Sequence, residues 1–237
     1  MLEKFVEKLL SLAEVRPVKI GALVYTDRPL SLLAPPCQAG VALVTLTGLV
    51  DLIEQRLDGL VSGNWALHVE SHAAVALVRR DTDDTGRRVR LASVDLDDGQ
   101  PFTFGRFMDR EEFVIGLQSR FVGNDDLAGV LQLTSSLGVS TVALSEDDGI
   151  SQRTTVKQGV TLKETVTVKG RVSLRPYRTF REIEQPASEF IFRLRSRDGA
   201  VPECALFEAD GGKWKLDAVL AIKAWLDARH LDMPVMA

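Results

Sequence analysis

The sequence contains few of the residues on which common catalytic and metal centres depend. Among its 237 residues are two cysteines and three histidines. Cys37 and Cys204 can pair, but two cysteines without an export signal are more typical of reduced, buried thiols. His68 and His72 are four residues apart in a segment that alternates as a strand does, which places the imidazoles about 13 Å apart, too far to share one ion. We therefore expect no metal and no cofactor.

Motifs for nucleophilic catalysis and phosphate binding are also absent. The chain has no G-x-S-x-G sequence, and residues 210–213 (Asp-Gly-Gly-Lys) lack the first glycine and the Ser/Thr of a phosphate loop. Residues 81–86 resemble the beginning of a calcium loop, but Ala92 occupies the twelfth position, where a bidentate Glu is required. An enzyme is therefore the least favoured interpretation.

Long apolar runs are missing as well. No apolar segment approaches the ~20 residues that span a bilayer. The N-terminal residues 1–5 (Met-Leu-Glu-Lys-Phe) lack the basic start and apolar core of a signal peptide. With 45% hydrophobic and 26% charged residues, the composition is that of a soluble globular protein. We expect an intracellular, cytoplasmic protein without a membrane partner.

What the sequence does contain predicts an α+β fold, with several helices packed on a largely antiparallel β-sheet. Helices are predicted over 2–14, 47–60 (with Thr47 as N-cap), from Asp109 to about 121, from Asn124 to about 138, and over 216–230. Strands are predicted over 19–25, 65–70, 73–80, 87–95, 139–145, 151–157, 160–168, 171–175, 189–196 and 202–208. The second half is thus β-rich and ends in a helix. We expect a single domain over residues 1–237, with a seam near 138–150.

The most informative feature is a strict alternation between Val156 and Leu174. Apolar residues fall on even positions and Lys or Arg on odd positions, which predicts strands with one buried face and one cationic face. Residues 151–197 contain 11 Lys/Arg and 4 Glu, a net charge of +7, so the rest of the −4 chain carries −11. Three-residue turns at Gly159 and Gly170 keep every apolar residue on the inner face.

This basic sheet has three interpretations. It can keep the protein soluble, it can contact the acidic surface of another copy in a homo-oligomer, or it can bind nucleic acid. Self-association is the leading hypothesis and nucleic-acid binding the alternative, with Tyr177 and Phe180 stacking on bases. The candidate interface or polyanion-binding residues are Lys163, Lys169, Arg171, Arg175, Tyr177, Arg178, Phe180 and Arg181.

The order of elements resembles one known family. The features that carry the resemblance are the segment 45–52 (Thr-Leu-Thr-Gly-Leu-Val-Asp-Leu), the segment 107–113 (Phe-Met-Asp-Arg-Glu-Glu-Phe), the strand 190–195 and the Met-Pro-Val tail at 233–235. Together they are similar to the YfdQ-like family of phage and prophage proteins, although the loop 175–185 departs from that pattern. The resemblance implies a phage-encoded, non-enzymatic protein of the bacterial cytoplasm, and it implies no site residues.

Overall fold

The structure is a computed structural model that describes residues 2–13, 17–20, 23–26, 40–57, 60–82, 87–97, 99–137, 141–147, 152–158, 170–195 and 201–237. The chain forms two compact units, Met1–Gln38 and Ala39–Ala237. The sequence-based seam near 138–150 lies inside the second unit. In the described part of the chain, no helix combines the length and the apolar character needed to cross a bilayer.

The first unit contains a helix and a hairpin. Helix α1 (Leu2–Ala13) confirms the predicted N-terminal helix. Strands β1 (Pro17–Ile20) and β2 (Leu23–Thr26) pair antiparallel, with Val18 opposite Tyr25.

The second unit contains the remaining elements. In chain order they are β3 (Val41–Leu43), α2 (Leu46–Glu54), β4 (Trp65–Ser71), β5 (Ala74–Arg79), β6 (Arg90–Asp95), α3 (Arg110–Arg120), β7 (Phe121–Val122), α4 (Asp125–Ser135), β8 (Thr141–Asp147), β9 (Gln152–Gln158), β10 (Arg171–Pro176), β11 (Ser188–Arg195), β12 (Glu203–Glu208), α5 (Lys213–Asp227) and β13 (Val235–Met236). The α+β class predicted from the sequence is confirmed, because most strand pairs are antiparallel and helices pack on the sheets.

A five-stranded sheet forms the first core of this unit. Its order is β13-β4-β5-β6-β3, and its two short edge strands, β13 and β3, pair parallel with their neighbours. The inner face packs against α2 and α5, with Leu67, Leu77 and Val94 fully buried beside Leu49 and Ile222. The outer face therefore carries the alternate residues of the same strands.

A four-stranded sheet of order β12-β11-β10-β7 forms the second core. Its inner face carries Leu174, Phe190 and Leu206, which pack against α3 and α4. Asp109 and Asn124 cap these helices as predicted, since each side chain accepts a hydrogen bond from the third residue along. Strands β8 and β9 form a further antiparallel pair, as predicted for the beginning of the β-rich half.

The helix predicted over 47–60 is shorter in the structure, where it is α2, and the prediction of Thr47 as its N-cap was wrong. Thr45 caps α2, because its hydroxyl oxygen accepts a hydrogen bond from the amide of Gly48 at 3.1 Å. The amide of Thr47 instead donates to Glu182 at 3.2 Å. The sequence signal was ambiguous, since two threonines precede the same apolar helical pattern.

Candidate functional site

A cleft of about 290 Å³ opens where the loop after β10, the β4–β5 turn and the start of α5 meet. Four cationic side chains and five rings line it, and Glu208 is the single carboxylate among the described lining residues. We call it the cation–aromatic cleft, and its lining consists of Arg120, Arg178, Arg181, Lys215, His72, Phe102, Phe104, Tyr177, Trp214, Gln100, Pro101, Pro176 and Glu208.

A buried amide shapes the loop between β10 and β11. Gln185 is 4% exposed, and its Oε1 accepts hydrogen bonds from the backbone amides of Arg178 at 3.1 Å and Thr179 at 3.3 Å. Its Nε2 donates to the carbonyl of Phe180 at 2.9 Å. The hydroxyl of Thr179 donates to the carbonyl of His72 at 2.6 Å, which ties the loop to the β4–β5 turn. Because these polar groups are satisfied inside the protein, the loop has a defined conformation.

Arg178 is the central cation of the cleft. Its side chain is 10% exposed, and its guanidinium carbon lies 3.9 Å from the centroid of the Trp214 ring. It forms an ion pair with Glu208 and donates a hydrogen bond to the hydroxyl of Ser188. Burial lowers the pKa of Arg178, while the charges of Glu208 and Asp210 oppose this effect. Arginine is protonated throughout the physiological range, so the cleft holds a fixed, largely desolvated positive charge.

Further cations surround this centre. The guanidinium carbon of Arg181, an exposed residue, lies 3.8 Å from the centroid of the Tyr177 ring. Arg120 ends α3, and its Nη1 donates to the carbonyl of Pro101 at 3.2 Å. Lys215, in the first turn of α5, is exposed at the rim. An anion that enters the cleft therefore meets positive charge from three different elements.

A glycine turn positions the tryptophan. Gly212 and the preceding glycine have φ values of 82° and 65°, a left-handed conformation that glycine adopts at little cost. Oδ1 of Asp210 accepts a hydrogen bond from the amide of Gly212 at 2.9 Å. Helix α5 begins directly after the turn, and this places Trp214 with its ring centroid 4.7 Å from that of His72. Residues 210–213, which do not match a phosphate loop, thus orient the Trp214 ring of the cleft.

Phenylalanines make the floor of the cleft apolar. The rings of Phe104 and Phe190 stack with centroids 5.0 Å apart, and Phe102 lies 5.0 Å from Phe104. The Arg178 guanidinium lies 5.5 Å from the Phe104 ring and 5.6 Å from the Phe190 ring. Charge–charge and cation–π interactions are stronger in such a poorly hydrated setting than in water.

The chemistry that this arrangement supports is binding of an anion that carries a flat ring. Guanidinium groups donate to oxyanions, and their planes stack on nucleobases. The described residues contain no group of three or more His, Cys, Asp or Glu side chains that could hold a metal ion. The thiol of Cys204 is buried, and burial raises its pKa to about 12, so it is not a nucleophile near neutral pH.

The predicted alternation of buried and exposed residues is confirmed in β10 and β11, whereas β9 pairs with β8 in a separate two-stranded sheet. In β10, Val172 and Leu174 are buried while Arg171 is exposed, and in β11 Phe190 and Phe192 are buried. The predicted strand over 160–168, Gly159, Lys163 and Lys169 lie outside the described residues, so the turns predicted at Gly159 and Gly170 stay predictions.

Several cations of this sheet are neutralised within the chain. Arg175 pairs with Glu184, and Arg195 pairs with Glu203. Arg178 faces the cleft and pairs with Glu208 there. The net positive charge available on this face to another copy of the chain is therefore smaller than the sequence count suggests.

The stacking role predicted for Phe180 was wrong. Phe180 is fully buried and packs in the core of the five-stranded sheet beside Ile183. Its even position did not predict this burial, because Val172 and Leu174 face the core of the other sheet. Tyr177 and Arg181, by contrast, do lie together at the cleft.

Other cleft residues were not found from the sequence. Arg120, Trp214, Lys215 and His72 come from three segments that the fold brings together. None of these segments carries a recognised motif. These residues come together because of how the two sheets are placed in the fold and because of the loop that Gln185 holds. No local sequence pattern predicts either feature.

The floor of the cleft gives a stability prediction. A Cβ atom added at Gly116 of α3 would lie 2.9 Å from Cε2 of Phe102, a ring that is buried in the core. We expect Gly116→Ala to lower the free energy of unfolding by about 1–3 kcal/mol because of overpacking, as measured by urea denaturation. The matched control is Gly129→Ala in α4, where an added Cβ has no described atom beyond the helix's own backbone within 4 Å, and it should gain up to about 1 kcal/mol from helix propensity. Equal stabilising effects at both positions would contradict this account of Phe102.

No family model, curated protein or solved structure matches this chain. The resemblance to the YfdQ-like phage family therefore stays a prediction.

Proposed function

We propose that this protein binds single-stranded nucleic acid and that the cation–aromatic cleft holds one of its nucleotides. The observation that supports the proposal is the convergence of four cations and several rings on one cleft with a single described carboxylate. Proteins that bind single strands combine a positively charged path for the backbone with rings or guanidinium planes on which bases stack. This was the alternative hypothesis from the sequence, now centred on the cleft instead of the sheet face.

The solvent exposure of each lining side chain indicates its role in the cleft. Arg181 and Lys215 are exposed at the rim, where they can reach phosphate oxygens while solvent still surrounds the backbone. Arg178 and Trp214, which stack on each other, lie deeper, and the half-buried rings of Tyr177 and Phe104 are the surfaces on which a base can stack. At about 290 Å³ the cleft is near the lower limit of about 300 Å³ for ligand pockets, which fits one nucleotide of a strand.

The proposal is tested by fluorescence anisotropy with a labelled thymidine oligonucleotide at several salt concentrations. In the double variant Arg181→Gln/Lys215→Gln, each lost contact should cost about 1.5 kcal/mol, or about tenfold in affinity. The slope of log K against log salt should become shallower by about 1.4, since each contacted phosphate contributes about 0.7.

The matched control is Arg171→Gln, which removes an exposed arginine of β10 outside the cleft. It should retain both the affinity and most of the salt slope. Equal losses in the control and in the double variant would mean that general charge, and not the cleft, governs binding. Wild-type protein that does not bind the oligonucleotide at low salt would end the proposal.

Self-association through the basic sheet is the second candidate, and the exposure of Arg171 at the beginning of β10 supports it. Light scattering coupled to size-exclusion chromatography tests it directly. Self-association by opposite charges predicts a mass above that of the 26.1 kDa chain in low salt, and a lower mass for Arg171→Glu. A monomer at every salt concentration contradicts this candidate and leaves the cleft proposal unaffected.

A further inference from the structure

We propose that a second site, on the outer face of the five-stranded sheet, binds the sugar–phosphate backbone of nucleic acid. A groove of about 720 Å³ lies there, and we call it the arginine groove. Four arginines line it, namely Arg79, Arg80, Arg88 and Arg90. None of them belongs to the alternating segment or to the cation–aromatic cleft.

Two of these arginines are held in place by uncharged acceptors. Nη1 of Arg88 donates to the carbonyls of Arg79 at 2.7 Å and Arg80 at 2.6 Å. Nη1 of Arg80 donates to the carbonyl of Gly63 at 3.2 Å. Within the described ranges neither guanidinium has a carboxylate partner, so the carbonyls fix their positions without neutralising their charge.

The other two arginines are paired, yet the groove still has an excess of positive charge. Arg90 pairs with Glu70 at 2.5 Å, and Arg79 pairs with Asp81 at 2.9 Å. Glu70 is the only carboxylate among the described lining residues. A ligand with regularly spaced negative charges is therefore favoured over a neutral one.

The floor of the groove argues for a phosphate backbone over an acidic peptide. Ala66 and Val78 are buried small residues that provide no pocket for a peptide side chain. Strand β5 is paired on both sides, and β13 covers the outer edge of β4 at Leu67 and His68, so a peptide cannot add as a strand at these positions. Among the described lining residues there is also no Phe, Tyr or Trp on which a base could stack. Recognition in the groove therefore depends on hydrogen bonds from the arginine guanidinium groups to phosphate oxygens.

The test uses a labelled DNA duplex of random sequence, because paired bases cannot enter the cation–aromatic cleft. Arg80→Gln/Arg88→Gln should weaken duplex binding, and the log–log salt slope should become shallower by about 1.8, at about 0.9 per lost phosphate contact. Thermal melting establishes that this variant folds. Glu70→Gln, which removes the one carboxylate among the lining residues that the structure describes, should tighten duplex binding, and Arg171→Gln is the control with an unchanged groove.

Three results would overturn this inference. They are a folded double variant with wild-type duplex affinity, duplex binding that Glu70→Gln does not strengthen, and polyglutamate that binds at least as tightly as the duplex. The groove and the cleft are distinguishable, because Arg181→Gln/Lys215→Gln should impair thymidine oligonucleotide binding and leave duplex binding intact. Loss of duplex binding in the groove variant would therefore support the groove even if the cleft proposal failed.

Discussion

Replacing Arg178 with alanine is expected to reduce the affinity for a thymidine oligonucleotide about a hundredfold, which corresponds to about 2.7 kcal/mol. The side chain lies between the Trp214 ring and the carboxylate of Glu208, with only a tenth of its surface exposed. Its loss removes the buried positive charge and the guanidinium plane together. The free energy of unfolding should also fall by about 2 kcal/mol, because a desolvated cation–π contact and the packing of the alkyl chain are lost.

Arg178→Lys separates charge from shape. Lysine keeps the positive charge but lacks the planar fork that contacts Trp214, Glu208 and Ser188 simultaneously. We expect it to recover part of the stability and little of the affinity, as measured by urea denaturation and anisotropy. Wild-type affinity in Arg178→Ala would show that the cleft is not where the strand binds.

Replacing Phe190 with alanine should produce the largest loss of stability, about 3–5 kcal/mol. Phe190 is fully buried in β11, stacks on Phe104 and belongs to the core beneath α3 and α4. The cavity left behind would also loosen Phe104, which lines the cleft. Urea denaturation should therefore show a lower midpoint. At urea concentrations below that midpoint, where the variant is still folded, anisotropy should show weaker oligonucleotide binding.

The control for this variant is Ile115→Ala in α3, an apolar residue that is 56% exposed. Its free energy of unfolding should change by less than about 0.5 kcal/mol, because no cavity forms at an exposed site. A similar small effect at Phe190 would mean that β11 does not pack against α3 and α4 as described above.

Local patterns in the sequence predicted much of the fold. The alternation in 171–175 and 189–196 identified β10 and β11 because one face of each strand is buried and the period is two. Asp109 and Asn124 identified the starts of α3 and α4 because their side chains accept backbone hydrogen bonds. The edge strands β3, β7 and β13 were not predicted, since two or three residues are too few to show a period.

The candidate site was only partly predictable, for a different physical reason. Tyr177, Arg178 and Arg181 were among the candidate polyanion-binding residues because they follow one another closely in sequence, and all three line the cleft. Whether a charge is free or paired depends on distant residues, and the partner of Arg178, Glu208, is 30 positions away. The burial of Phe180 likewise depends on the core of the other sheet.

The affinity of Glu208→Gln for the thymidine oligonucleotide tests the central claim most directly. Glu208 is the lining carboxylate that pairs with Arg178, and its negative charge repels the phosphates of an incoming strand. Removing this charge, which is worth about 1 kcal/mol at a partly exposed site, should tighten binding about fivefold. Glu184→Gln makes the same charge change beside Arg175, outside the cleft, and should have a smaller effect. Binding that Glu208→Gln leaves unchanged or weakens, in a protein of wild-type stability, would contradict nucleotide binding in the cation–aromatic cleft.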